Sequence, residues 1–163
     1  LNRVSFTVGG GNAVEAAMKI ALKNRPKSTE FLSLYDAYHG TTLMTMGASW
    51  ISTKSDGNYT GAVNFLPLLK TFVRVPNPYC YRCYFNLRPK DCSLMCAKVL
   101  RHTLERGVNG EAAGIIIEPL QASAGQIPCP KKYLEEVRKI RMQKRKRCRM
   151  MPKVSPIPSQ KGM

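Results

Sequence analysis

A run of three glycines and an asparagine, Gly9 to Asn12, separates two segments of different hydrophobic periodicity. Before it, Val4–Val8 is rich in β-branched and aromatic residues and predicts a buried strand. After it, residues 13–23 carry apolar side chains at helical spacing, and Asn12 is a suitable cap for that helix. A strand that ends at glycines and continues as a helix presents free backbone N–H groups and the positive end of the helix dipole. This combination suits a phosphate group.

Strand and helix patterns alternate along the rest of the chain, which predicts an α/β fold with three αβα layers and a mostly parallel sheet. Further strands are predicted over 31–35, 71–75 and 113–118, and helices over 41–48, 94–106 and 130–140. Residues 50–68 predict a long loop, since Gly57, Gly61 and Pro67 interrupt any period. The strand at 113–118 is apolar up to its last residue, so we expect it to be central and parallel.

The net charge of +16 is unevenly distributed. Eight of the 26 basic residues, and no acidic residue, lie between Arg141 and Met163. We therefore divide the chain into a folded part, 1–140, and a basic tail, 141–163, which is expected to be disordered. Phosphate neutralisation by such a tail would suit a non-enzymatic nucleic-acid-binding protein, which is one alternative function. The rest of the chain lacks the mixture of basic and aromatic residues that binds single strands, so no specific nucleic acid is expected.

The sequence has no apolar run long enough to cross a membrane and no secretory signal at its start. Six cysteines without an export signal favour reduced thiols. We therefore expect a cytoplasmic protein that does not bind a membrane.

Two more motifs follow predicted strands, where ligands bind in open α/β sheets. The first is Tyr38-His39-Gly40, whose ring could stack on a planar cofactor or simply pack in the core. The second is Glu118-Pro119, whose carboxylate must be paired or functional, because burying a free charge is costly.

The glycine run by itself could be a tight turn. It lacks the third glycine of a dinucleotide-binding loop and the Gly-Lys-Ser/Thr of a Walker loop.

Together, the order and spacing of three motifs resemble the class III pyridoxal-phosphate aminotransferases. They are Gly9–Ala17, Tyr38-His39-Gly40 and Ile117–Gln121. The resemblance extends from Leu1 to about Ile140. It implies part of the large domain of the aspartate-aminotransferase type (fold type I), pyridoxal 5′-phosphate as cofactor, and a homodimer in the intact enzyme. The implied reaction transfers an amino group between an amine or amino acid and a keto acid.

The same resemblance assigns roles to individual residues. Gly10 and Gly11 would donate backbone N–H groups to the cofactor phosphate. Tyr38 would stack on the pyridine ring with His39 adjacent to it, and Glu118 would lie near the ring.

Three departures from the family pattern qualify these roles. Many members have Ser-Gly-Ser-Glu where this chain has Gly9 to Asn12, so a hydroxyl contact to phosphate is lost. Ser123 stands where many members have a glutamate that handles substrate switching, and it resembles the dialkylglycine decarboxylases. A decarboxylating transaminase or an amino-acid racemase therefore remains an alternative, with Ser123 as a substrate-contacting residue.

The third departure is that the Asp-Glu-x-Gln strand and the Schiff-base lysine of the family are absent from the 163 residues. No catalytic residue is therefore assigned, and the chain alone is expected to be inactive. A shifted reading frame or a wrong gene model would account for the basic tail better than selection for it.

Four cysteines share a short loop, with the spacing Cys80-x2-Cys83 and Cys92-x3-Cys96. This spacing suits a zinc site or an iron–sulfur cluster. However, the loop also contains three tyrosines and Phe85, which can pack it without a metal, so we expect no metal there.

Overall fold

The computed structural model describes residues 4–50 and 71–149. The loop predicted over 50–68 lies, apart from Trp50, outside these ranges. The helices are α1 (Gly10–Asn24), α2 (Leu43–Ala48), α3 (Met95–Arg106) and α4 (Lys131–Arg149), and the strands are β1 (Glu30–Leu34), β2 (Phe72–Val75), β3 (Ala112–Ile116), β4 (Leu120–Gln121) and β5 (Ile127–Pro128).

The main sheet has three parallel strands in the order β2-β1-β3. Phe31 of β1 is in register with Phe72 on one side and with Gly114 on the other. The expectation that the 113–118 strand is central is wrong within this described sheet, because β3 is an edge strand and β1 is central. Every residue of β1 is buried. Its Glu30 is satisfied there because the backbone N–H and side-chain amide of Asn109 donate to the carboxylate at 2.6 and 3.0 Å.

Helices cover both faces of the sheet, as the alternating pattern predicted. Leu32 and Leu34 of β1 pack in one cluster with Leu100 of α3 and Tyr133 of α4. Phe31 points to the other face and packs in a cluster that includes Met18 of α1 and Ala48 of α2. The three-layer αβα architecture is therefore confirmed.

The strand predicted over Val4–Val8 is wrong. The segment has no regular secondary structure, and Val4, Phe6 and Val8 are 82, 94 and 97% exposed. A strand needs a hydrogen-bonding partner for its backbone, and none of the described strands lies beside this segment. The cap is also different: α1 begins at Gly10 after an extended Gly9, which places Asn12 inside the first turn.

The helix predicted to end near 140 continues to Arg149. The first part of the predicted disordered tail is therefore helical, and the remainder, 150–163, lies outside the described ranges. The physical reason is that methionine, glutamine, lysine and arginine all favour helix, and Pro152 is the first helix-breaking residue in this region. None of the helices in the described part of the chain is both long and apolar enough to cross a bilayer.

Candidate functional site

The start of α1 touches the loop that follows β1. Gly40 has a φ of +126°, and a Cβ atom added there would lie 2.9 Å from the Cα atom of Gly11 and 2.8 Å from the Oγ1 atom of Thr45. Only glycine permits both this backbone conformation and this close approach. At Gly10, by contrast, a Cβ atom would meet nothing within 4 Å. The first N–H groups of α1 are thus fixed by a backbone contact and border open space.

Ser49 holds the Tyr38-His39-Gly40 loop in place. The backbone N–H of His39 donates to the Ser49 hydroxyl oxygen at 2.8 Å, and that hydroxyl donates to the Thr45 carbonyl oxygen at 2.7 Å. Ser49 is completely buried, so these bonds do not compete with water. Nothing in the sequence around Ser49 indicated this role, because its partner lies ten residues earlier in a separate motif.

The imidazole of His39 is buried, and its Nε2 atom has no hydrogen-bond partner among the described residues. Burial disfavours the charged ring and lowers the pKa of His39 from 6.5 to about 4. The ring is therefore neutral at neutral pH. A buried polar atom without a partner is unusual in a folded protein, so this nitrogen has hydrogen-bonding capacity for a ligand.

The lowered pKa of His39 predicts acid sensitivity in a defined window. Between pH 6.5 and about 4 the unfolded chain binds a proton that folded His39 does not, so the free energy of unfolding should fall as the pH falls. The loss should approach about 3 kcal/mol near pH 4, given 1.36 kcal/mol per pKa unit. Urea unfolding across this range should show a smaller loss for His39→Gln than for the unchanged chain. His102→Gln, which alters the exposed second histidine, should behave like the unchanged chain. The same dependence of stability on pH in all three proteins would contradict the attribution of this acid sensitivity to His39.

Glu118 connects the carboxyl ends of β1 and β3. Its Oε2 atom accepts a hydrogen bond from the backbone N–H of Tyr38 at 2.8 Å, and the backbone N–H of Ala122 also donates to the carboxylate. Burial raises the pKa of Glu118, and these two bonds partly offset that shift. Tyr38 is 39% exposed, while its backbone N–H is held by Glu118.

Ser123 lies in the turn between β4 and β5, a hairpin that the sequence analysis missed. This residue is exposed, and its neighbour Ala122 is the residue that donates to Glu118. The structure thus brings the glycines of α1 to the loop containing Tyr38 and His39, and it brings Glu118 to Tyr38. Ser123 is the next residue in the chain after Ala122, which donates to Glu118.

A buried polar network, also missed from the sequence, supports the hairpin. The side-chain amide of Asn77 donates to Asp36 and to the Gln121 carbonyl oxygen, both at 3.1 Å. The Gln121 amide in turn donates to the Tyr35 carbonyl oxygen at 2.9 Å. The only sequence signal was the Pro76-Asn77-Pro78 run, which fixes the backbone on both sides of the asparagine.

These features fit a planar ligand that carries a phosphate. The helix start offers backbone N–H groups with no side chain at Gly10 and Gly11, which is favourable for an anion. The partly exposed Tyr38 and the unpartnered nitrogen of His39 belong to the loop that touches Gly11. All of them lie at the carboxyl end of β1.

The cysteine loop forms a separate, small cavity of about 30 Å³, lined in part by Cys80, Cys83, Cys92 and Cys96. Burial and repulsion from neighbouring thiolates raise the pKa of Cys80, and they raise the pKa of Cys96 to about 11 despite the opposing effect of backbone N–H donors. In residues 4–50 and 71–149, no three histidine, cysteine or acidic side chains are arranged to hold a metal ion. The absence of a metal from the protein itself stays a prediction.

A family model described as aminotransferase class-III matches residues 2–146. The chain belongs to the class III aminotransferase family. An adenosylmethionine-8-amino-7-oxononanoate aminotransferase from Geobacter sulfurreducens is 34% identical over 147 residues, which are 86% of this chain and 31% of that protein. A leucine/methionine racemase from Thermococcus litoralis is 30% identical over 139 residues, covering 85% of this chain and 30% of the racemase.

The fold agrees with this family. The PLP-bound amine transaminase from an uncultivated Pseudomonas species superposes with a TM-score of 0.67 at 24% identity, covering 84% of this chain and 31% of the transaminase. The αβα architecture described above is therefore part of a transaminase fold of type I. The chain spans just under a third of the length of these relatives.

Proposed function

We propose that this chain forms the cofactor-phosphate part of a pyridoxal-phosphate-dependent aminotransferase. The observation that carries the proposal is the contact of Gly11 with Gly40, which places the start of α1 against the loop containing Tyr38 and His39. Class III membership and the PLP-bound transaminase of similar fold support it. Family membership also favours an enzymatic origin over the nucleic-acid-binding alternative, because the matched region extends into the basic segment as far as residue 146.

In this proposal each residue has a limited task. The backbone N–H groups of Gly10 and Gly11 bind the phosphate, and the ring of Tyr38 covers one face of the pyridine. Glu118 positions Tyr38 through its backbone, while His39, adjacent to Tyr38, is neutral and has a buried Nε2 atom without a partner among the described residues. The chemistry that bound pyridoxal phosphate supplies is an electron sink for the reacting carbon.

For the intact enzyme we propose amino-group transfer between an amine or amino acid and a keto acid, in a cytoplasmic homodimer. Residues 1–140 would be part of its large domain. An amino-acid racemase is the second candidate, because one relative is a racemase and because Ser123 replaces the glutamate typical of many transaminases. Ser123 follows Ala122, whose backbone N–H donates to Glu118, and this position supports the proposed contact of Ser123 with substrate.

The proposal predicts phosphate-dependent binding by the chain. Pyridoxamine 5′-phosphate is the suitable probe, because it has no aldehyde to react with surface lysines. Equilibrium dialysis should show binding at least about tenfold tighter than for pyridoxamine, since charge-assisted hydrogen bonds contribute about 1.5–3 kcal/mol. Gly10→Val fills the open space at the start of α1 and should abolish that preference, whereas Ile20→Ala, at an exposed position of the same helix, should keep it.

The same samples test activity. With pyridoxal phosphate, an amino acid and 2-oxoglutarate, we expect no turnover above the free-cofactor background, because these 163 residues lack the Schiff-base lysine motif. Equal affinity for the phosphorylated and unphosphorylated probes would reject the cofactor site. Turnover would reject only the expected inactivity.

A further inference from the structure

Four thiols of the loop between β2 and α3 border the same small cavity. They belong to Cys80, Cys83, Cys92 and Cys96, and all four are free. Every residue that lines the cavity lies between Asn77 and Tyr133, in the interior of the described range. The cluster is therefore formed by one continuous part of this chain, and its thiols take no part in the site proposed for the cofactor.

The interaction between Cys80 and Cys92 is the strongest that involves the exposed Cys80 thiol. Burial is the main cause of the raised pKa of Cys80, and the thiolates of Cys92 and Cys83 add to it in that order. Cys92 thus acts on Cys80 more strongly than Cys83 does, although Cys83 is closer in sequence. The Sγ atom of Cys80 lies 3.9 Å from the Pro78 carbonyl oxygen, and that of Cys92 lies 3.7 Å from the Pro89 carbonyl oxygen. A bond between these two thiols would join the two ends of the loop.

The backbone that follows Cys92 is strained. Ser93 and Leu94 are consecutive non-glycine residues in the left-handed region, with φ of +42° and +55°. Such strain persists only where the surroundings fix the backbone, and it is frequent in switch regions. The backbone N–H of Met95 donates to the Cys92 carbonyl oxygen at 2.9 Å across the two strained residues. The backbone thus fixes Cys92 at the cavity that Cys80 also borders.

We propose that Cys80 and Cys92 form a reversible disulfide, with a low-molecular-weight disulfide such as oxidised glutathione as the oxidant. The thiolate of the exposed Cys80 attacks one sulfur of the oxidant, and one glutathione leaves as its thiolate. The Cys92 thiolate then attacks the Cys80 sulfur of the mixed disulfide and displaces the second glutathione. The two cysteines are oxidised, the oxidant is reduced, and the two glutathione thiolates take up the protons that the cysteines release. Where thiols are normally kept reduced, a bond of this kind is transient and acts as a redox sensor.

Tryptic mapping of the full chain after incubation with oxidised glutathione tests the pairing. Lysine and arginine residues separate the thiols of the loop, so trypsin releases the peptides 75–82 with Cys80, 83–90 with Cys83, and 91–98 with Cys92 and Cys96. With free thiols alkylated before digestion, we expect the peptide 75–82 to be linked to the peptide 91–98. Reductant should separate the two peptides. This readout uses the unchanged chain and does not depend on the folding of a variant.

Two serine variants identify the partner within the peptide 91–98. Cys92→Ser should lower the yield of this linked peptide at least about tenfold, because the resolving thiol is lost. Cys96→Ser is the matched control and should keep the yield. Cys96 borders the same cavity, but burial raises its pKa to about 11, so its reactive thiolate is scarce. Oxidation should also raise the urea midpoint of the unchanged chain and not that of Cys92→Ser, because the closed ring restricts the unfolded chain.

Several outcomes would overturn the proposal. One is linkage of the peptide 75–82 to the peptide 83–90, which would pair Cys80 with Cys83. Another is a mixed disulfide with glutathione that persists without an internal bond, or no oxidation at all. A lower urea midpoint after oxidation would show that the bond forms only by distorting the loop. Stoichiometric zinc that protects the four thiols from the oxidant would make the cluster a metal site instead.

Discussion

Replacing Gly40 with alanine is expected to lower the free energy of unfolding by about 4 kcal/mol, combining left-handed strain with overpacking. The strain arises because φ is +126° at this position. The overpacking arises because the new Cβ atom would lie 2.8 Å from the Thr45 hydroxyl oxygen and 2.9 Å from the backbone of Gly11. Relief of this clash would push α1 away from the loop, so the variant should also lose its preference for pyridoxamine 5′-phosphate.

Gly125→Ala separates the two causes. Gly125 has a similar φ of +108°, but a Cβ atom there would meet nothing within 4 Å. This variant should lose only the strain contribution, about 1–2 kcal/mol, and should keep the phosphate preference. Urea unfolding of the two variants under identical conditions gives the comparison. Equal losses in the two variants would show that the contact with Gly11 contributes nothing.

Replacing Leu32 with alanine should also destabilise the chain by about 4 kcal/mol, because it opens a cavity at a fully buried site. Leu32 lies on the central strand and packs in the cluster that joins the sheet to α3 and α4. Both helices depend on this cluster for their position, so the surrounding side chains cannot easily collapse into the gap.

Leu43→Ala is the matched control, because it is the same substitution at the exposed first residue of α2. It should change stability by no more than about 0.5 kcal/mol. Urea midpoints measured for the two variants at the same concentration decide the outcome. A loss in Leu32→Ala as small as that in Leu43→Ala would mean that β1 is not the centre of the core.

The sequence predicted local structure well because the signals for it are local. The predicted boundaries of β1, β2, α2 and α3 agree with the structure within two residues. Arg25-Pro26 and Gly107 end helices where expected. The order of the strands could not be read in the same way, since it depends on which segments meet in space. The predicted 113–118 strand is more apolar than Glu30–Leu34, yet the latter is central in the described sheet, and hydrogen bonds from Asn109 satisfy its buried Glu30.

The candidate site shows the same division. Its glycines, Tyr38, His39 and Glu118 belong to short motifs whose neighbours reveal them. The residues that hold those motifs in place could not be predicted from the sequence, because their partners are distant along the chain. Ser49 bonds to His39, and Asn77 bonds to Gln121. The Val4–Val8 error has the same origin, since composition predicts a strand but cannot supply its partner.

The bond between Tyr38 and Glu118 joins residues 80 positions apart, and the one between Glu30 and Asn109 spans 79. During translation β1 and Tyr38 therefore leave the ribosome long before Asn109, β3 and Glu118, which supply their neighbouring strand and their hydrogen-bonding partners. At about 5–20 residues per second, this delay lasts about 4–16 s. Throughout that interval Phe31, Leu32 and Leu34 lack their β3-side neighbours, so the nascent chain exposes the strand that becomes central in the folded sheet to chaperones and to other nascent chains.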